Sequence, residues 1–225
     1  MDIEGARVLV PGAGGVIGSA LASRLHGLGA RVALAGRTPA PLARAAATCG
    51  GAPVHRIDAY DLEGCARTVP WAADALGGLD AVVVCVGVAG FGPAHTVPDS
   101  VAEHLLTVNA LAPMAFLRAA LPVVPRGGAL AAVTGVVVDA APAGMADYAA
   151  SKAALAAWLT AVRRERRRDG VAVLDIRLPH VESGFAARAV AGSPPALPRG
   201  LTVAEAVDEI VDALHRPAPA ARRPG

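Results

Sequence analysis

Arg7-Val8-Leu9-Val10-Pro11-Gly12-Ala13-Gly14-Gly15-Val16-Ile17-Gly18 decides the fold. A short apolar strand pattern runs into a glycine-rich turn. An Ala/Leu-rich helix pattern then continues to about Leu28. A turn of this kind presents backbone N–H groups and a helix N-terminus to a pyrophosphate. Gly12, Gly14 and Gly15 permit the tight turn and the close approach. The contacts expected of the turn continue through Val16 and Ile17, and Gly18 lets the helix pack on the sheet.

Outward from this turn, strand and helix patterns alternate. Strands are expected at Arg31–Ala35, Pro53–Ile57, Ala81–Cys85, Ala129–Thr134 and Val171–Arg177. Helices are expected at Pro39–Thr48, Leu62–Leu76, Val101–Thr107, Ala110–Leu121, Ala146–Arg168 and Val203–Leu214. Regular alternation with short connections predicts a doubly wound α/β fold, a Rossmann-type parallel sheet of about six strands with helices on both faces. One domain is expected over residues 1–215, with a loop at 183–200 and a flexible tail at 216–225.

Composition fits this reading and narrows the function. Of 225 residues, 54% are hydrophobic but only 3% aromatic, so the core rests on Ala, Val and Leu. Net charge is +2, too balanced to argue for nucleic acid. The basic run Arg163 to Arg168 lies at a helix end, where cations complement the dipole. Three scattered cysteines, Cys49, Cys65 and Cys85, show no metal-ligand spacing and suit a reducing cytoplasm. The acidic start Met1-Asp2-Ile3-Glu4 does not read as a signal peptide. The apolar run Ala81 to Ala89 is too short to span a membrane. The expected setting is therefore cytoplasmic, with no membrane, no nucleic acid and no metal.

Two further positions bear on chemistry. At the end of the second strand an acidic residue would bind the ribose hydroxyls of NAD. Gly36-Arg37-Thr38 stands there instead. Arg37 offers a charged fork to a 2′-phosphate and Thr38 adds a hydroxyl, which favours NADP(H) over NAD(H). Asp58, after the third strand, is placed to meet the adenine amino group. Tyr148-Ala-Ala-Ser-Lys152 puts a phenol and an ammonium one helical turn apart. An ammonium beside a phenol favours the phenolate, so the pair is expected to move a proton well below ~10.

Together these residues resemble the short-chain dehydrogenase/reductase family over roughly Ala6 to Leu214. The resemblance rests on the glycine turn, Leu79-Asp80, Val108-Asn109-Ala110, Tyr148 to Lys152, and Pro179. It implies that Tyr148 is the proton donor. Lys152 would lower the tyrosine pKa and bind the nicotinamide ribose. Asn109 is similar to the asparagine that holds a water in the proton relay. Gly87 is the glycine kept after the fourth strand. Pro179 to Ser183 resemble the segment on the nicotinamide, with Val181 offering backbone contacts to its carboxamide.

The chain departs from the family pattern in four places. The glycines fit G-x-x-G-x-x-G, as Gly12, Gly15 and Gly18, with Pro11 in place of Thr. Val84-Cys85-Val86-Gly87 replaces Asn-Asn-Ala-Gly. Gly135 stands 13 residues before Tyr148, where the family has its catalytic Ser. Losing such a donor costs on the order of 10²–10³ in rate. Either Thr134 supplies the hydroxyl, or substrate or water does, or carbonyl reduction is weak. Lastly, no seventh strand is recognisable.

Substrate contacts are expected from three loops. Phe91 and His95 lie in the first, Asp139 in the second, and Phe185 in the third, a lid-like stretch over an apolar substrate. His180, beside the expected nicotinamide, is a further candidate, with Glu182 to orient it. The expectation is an NADP(H)-dependent oxidoreductase acting on a carbonyl or secondary alcohol of a small molecule. The alternatives are non-redox acid/base chemistry on the same fold, or a non-catalytic NADP(H)-binding protein. A homodimer or homotetramer is expected, paired through the long helices.

Overall fold

The computed structural model describes residues 1–215; the tail expected at 216–225 lies outside the described residues. The elements are β1 (Arg7–Pro11), α1 (Val16–Gly27), β2 (Arg31–Gly36), α2 (Pro39–Thr48), β3 (Val54–Arg56), α3 (Leu62–Leu76), β4 (Ala81–Val84) and α4 (Asp99–Leu106). After a π-helical turn (Thr107–Leu111) come α5 (Ala112–Ala120), β5 (Ala129–Val133), α6 (Val137–Ala140), α7 (Ala146–Arg166), β6 (Ala172–Ile176), a 3-10 turn (Ala186–Arg188) and α8 (Val203–His215).

Among the described residues the sheet has six strands in the order β3-β2-β1-β4-β5-β6. All pairs are parallel, with Val8 opposite both Val32 and Ala81, and Ala131 opposite Leu174. The Val/Leu/Ala strands follow from burial on both faces. Val8 and Val10 face Leu21, Leu25, Ile210 and Val211 on the layer of α1, α2 and α8. Leu9, between them, faces the opposite layer with Val82, Phe116, Leu155 and Leu159. Period-two alternation assigns one strand to two cores.

Local chemistry sets the element ends. Pro39 opens α2. Asp61 caps α3 by accepting from the Gly64 N–H at 2.7 Å, and Gly77 ends it in the left-handed region at φ 71°. The two helices expected at 101–107 and 110–121 form one continuous run instead, joined by the π turn. That run, Asp99–Ala120, is long and apolar enough by composition to cross a membrane, and half of it is buried within the fold. α6 and the 3-10 turn lie in stretches expected as loop. Both are too short to leave a periodic pattern.

After β1 the chain turns one way to β2 and β3, then crosses back to β4 on the other side. The strand order reverses between β1 and β4. A crevice at the C-terminal strand ends follows from that reversal, and it is where ligands bind in such sheets.

Candidate active site

The glycine turn is packed as a cradle. Gly12 has φ +92°, and a Cβ there would lie 2.6 Å from the Cys85 carbonyl carbon. The turn after β1 therefore presses on the segment after β4, and only glycine fits. A Cβ on Gly18 would strike the Gly12 carbonyl, so α1 starts against the turn itself. The Gly15 N–H donates to the Gly12 carbonyl at 2.9 Å. Gly14 has room around it, and Val16 is exposed at the helix start. Ile17, half-buried, packs against the core behind. No acidic residue sits in the first turn of α1, which leaves that helix end open to an anion. Close backbone approach and open N–H groups fit a dinucleotide pyrophosphate.

Arg37 and Thr38 are exposed at the end of β2. Thr38 is the N-cap of α2, yet its hydroxyl caps nothing, and α2 has no acidic first turn. Asp58 is exposed and accepts from the Tyr60 N–H at 3.0 Å.

The second half of the crevice is built from buried polar side chains. Asn109, fully buried in the π turn, accepts from the Val88 N–H at 2.8 Å. Its amide donates to the Val88 carbonyl at 2.9 Å and to Ser151 Oγ at 3.0 Å. Single π turns often mark functional positions. Both amide donors are used, so any water relay falls to the oxygen atoms of Asn109. The Ser151 hydroxyl donates onward to the Tyr148 carbonyl at 2.7 Å. Lys152, 4% exposed, donates from Nζ to the Val133 carbonyl at 3.0 Å. A Cβ on Gly87 would lie 3.1 Å from Lys152 Nζ and 3.2 Å from Asn109 Oδ1. Gly87 thus lets both side chains reach the segment after β4.

Tyr148 lies on the same helix beneath an apolar cover. Phe91 and Phe185 flank its ring at centroid distances of 6.5 and 6.4 Å. Met145, Ala89, Val137 and Leu197 join them. Three loops meet over it. The Val190 N–H donates to Ala89, Phe91 N–H to Ala191, and Gly92 N–H to Gly144, at 2.8 to 2.9 Å. The loop at 183–200 is closed at its neck by a bridge between Val181 and Leu201. A separate open groove of about 460 Å³ lies along Val138, Pro142, Ala146 and Ala150 and does not include Tyr148.

Two expectations need correction. The spacing of Tyr148 and Lys152 predicts a phenol made more acidic by its neighbour. Burial instead pushes the phenol up to about 12 and Lys152 down to about 8. Depth under the aromatic cover outweighs the shared helix face. Thr134 is the second. Its hydroxyl donates to the Asp175 carboxylate, so its proton is not offered to a substrate oxygen. At Gly135 the φ of +116° disfavours any side chain.

The remaining candidates divide. Phe91 and Phe185 reach Tyr148. His95 is exposed on its loop. Asp139 is paired with Arg177. His180 Nε2 lies 3.6 Å from Glu182, which also accepts from the Gly200 N–H. Pro179 is exposed; the Val181 carbonyl is taken by the Ser183 N–H at 2.7 Å. Asp175 was not foreseen. One carboxylate in the apolar strand Ala172-Val173-Leu174-Asp175-Ile176 was its signal.

The model of the short chain dehydrogenase family matches residues 6–193, across both halves of the crevice. The chain belongs to the short-chain dehydrogenase family. A hydroxysteroid 11-beta-dehydrogenase 1-like protein of Macaca fascicularis is 31% identical over 171 residues, 73% of this chain. The match spans 59% of that relative's length, about three-fifths. The structure of a short chain dehydrogenase from Burkholderia cenocepacia J2315 in complex with NADP has a TM-score of 0.84 at 25% identity, covering 95% of this chain and 92% of the other. The structure of BdcA in complex with NADPH has a TM-score of 0.81 at 25% identity, covering 94% and 87%.

Proposed function

We propose that the protein is an NADP(H)-dependent oxidoreductase that reduces a carbonyl, or oxidises a secondary alcohol, of a small and largely apolar substrate. The observation that carries this reading is Tyr148 itself. Its phenol is flanked by Phe91 and Phe185, one turn from a buried lysine, and its backbone carbonyl is tied through Ser151 to Asn109.

NADPH, when bound, supplies the hydride. The glycine turn fits its pyrophosphate, while Arg37 and the free hydroxyl of Thr38 fit a 2′-phosphate. Asp58 would meet the adenine, and Lys152 the nicotinamide ribose. The residues themselves hold and move the proton. With its pKa up at about 12, Tyr148 is protonated at neutral pH and acts as an acid toward a substrate oxygen. That state is the one able to donate a proton in the reducing direction. Phe91, Phe185 and Met145 pack apolar surface against the half-buried phenol and select an apolar substrate.

A cytoplasmic homodimer or homotetramer completes the proposal. The self-association is supported by Leu106 and Leu111, which are 41% and 45% exposed on the α4–α5 run. One observation favours a second reading, non-redox acid/base chemistry or cofactor binding without turnover. Gly135 has no hydroxyl, and Thr134 gives its proton to Asp175.

Fluorescence titration of the pure protein with NADPH and NADH tests the reading. Tighter NADPH binding is expected. Tighter NADH binding overturns the 2′-phosphate assignment, and binding of neither overturns the whole proposal.

A further inference from the structure

One deep charge of the site, Asp175, has no part in the proposed chemistry. The Asp175 side chain is 6% exposed. Burying a carboxylate costs several kcal/mol unless charge and hydrogen bonds compensate. Here both do. Thr134 Oγ1 donates to Oδ1, and Arg177 Nε donates to Oδ2 at 2.8 Å. Arg177 is paired in turn with Asp139 of α6. Across β5, Lys152 Nζ rests on the Val133 carbonyl, one residue before Thr134. The sheet register sets Ile176, next to Asp175, opposite that same Val133.

Asp175, Arg177 and Asp139 therefore form a chain of paired charges that runs to the surface. Lys152, held by the Val133 carbonyl on the neighbouring strand, stands at its inner end without a direct ion pair to Asp175. Beyond burial, two groups act on the charge of Lys152, Cys85 first and Asp175 second. Cys85 faces it from the β4 side, but burial pushes that thiol up to about 12, so it is neutral while Lys152 titrates. Tyr148 is neutral over the same range. Asn109, Ser151 and Thr134 carry no charge. Lys152 is also the only lysine among the 21 basic side chains. Arginine serves everywhere else, and arginine does not give up its proton.

We infer that Asp175 is a positioning residue of the active site. Its carboxylate is the counter-charge that holds the Lys152 ammonium between β5 and α7, and through Arg177 and Asp139 it ties that ammonium to the loop after β5. The role of Lys152 toward cofactor rests on the proposed function; the pairing with Asp175 does not, and the test separates them.

A chain labelled with [¹³C]lysine gives one side-chain signal, because it has one lysine. Its titration in the cofactor-free protein should have a midpoint near 8. Asp175→Asn should lower that midpoint by about one unit, the lower end of the effect of a nearby opposite charge. Asp139→Asn, at an exposed position, should lower it by less, because Arg177 is then less neutralised. Loosening of the fold does the opposite, since it returns Lys152 toward its solvated value of ~10.4. A merely structural role therefore predicts a rise. An unchanged or higher midpoint in Asp175→Asn overturns the inference. If that variant does not fold, an unchanged or higher midpoint in Asp139→Asn does so. As pH rises, NADPH affinity should begin to fall at a lower pH in the variants than in the parent. If the lysine midpoint shifts and affinity does not follow, the cofactor role of Lys152 fails while its pairing with Asp175 stands.

Discussion

The two sides of the crevice are made of different material. On the β1–β2–β3 side the binding surface is backbone. Gly12, Gly15 and Gly18 close a cradle, and the candidate side chains Arg37, Thr38 and Asp58 stand in solvent. On the β4–β5–β6 side it is buried polar side chains. Asn109, Ser151, Lys152, Thr134 and Asp175 are each partnered in the interior. A backbone cradle tolerates little change of shape. A buried polar layer can be re-partnered, as long as every group stays satisfied. The changes to the family's catalytic serine and asparagines all lie on the second side, at Val84, Cys85 and Gly135.

The sharpest break of this contrast is chemical. Tyr148→Phe should lower turnover by about 10²–10⁴, the usual share of a general acid. NADPH affinity should hold, because the first side is untouched. A rate within about tenfold of the parent would remove Tyr148 from the mechanism.

Next in size is a change to the cradle. Gly18→Ala drives a Cβ into the Gly12 carbonyl and should cost about 1–3 kcal/mol in a thermal melt, with NADPH binding weakened. Full stability and affinity would mean that the turn yields more easily than backbone packing allows. Arg37→Ala should then weaken NADPH binding by about tenfold, at the lower end for one charged hydrogen bond, and leave NADH unchanged. Equal losses for both cofactors would remove the 2′-phosphate role.

The smallest effect probes the missing serine. Gly135→Ser should lower stability by about 1–2 kcal/mol, because φ is +116° there, without raising turnover. A tenfold faster enzyme of unchanged stability, about 1.4 kcal/mol in the barrier, would show that the backbone can re-form a serine site.

The same contrast explains what the sequence revealed. α2 and α3 are read to the residue because Pro39, Asp61 and Gly77 act locally on their own ends. The glycine cradle is legible for the same reason. Thr134 is not, because its hydroxyl meets a carboxylate 41 residues away. The spacing of Tyr148 and Lys152 shows that they share a helix face. It does not show how deep that face lies, and depth sets the direction of both pKa shifts. The π turn at Thr107–Leu111 joined two helices that periodicity separates, since one widened turn breaks the period without ending the helix.

The lone, buried Lys152 also makes α7 a natural reporter of breathing. A protease that cuts only after lysine has one target in this chain, and that target is 4% exposed. Cleavage requires α7 to lift from the sheet. When closing outpaces cutting, the digestion rate measures the population of that opened state.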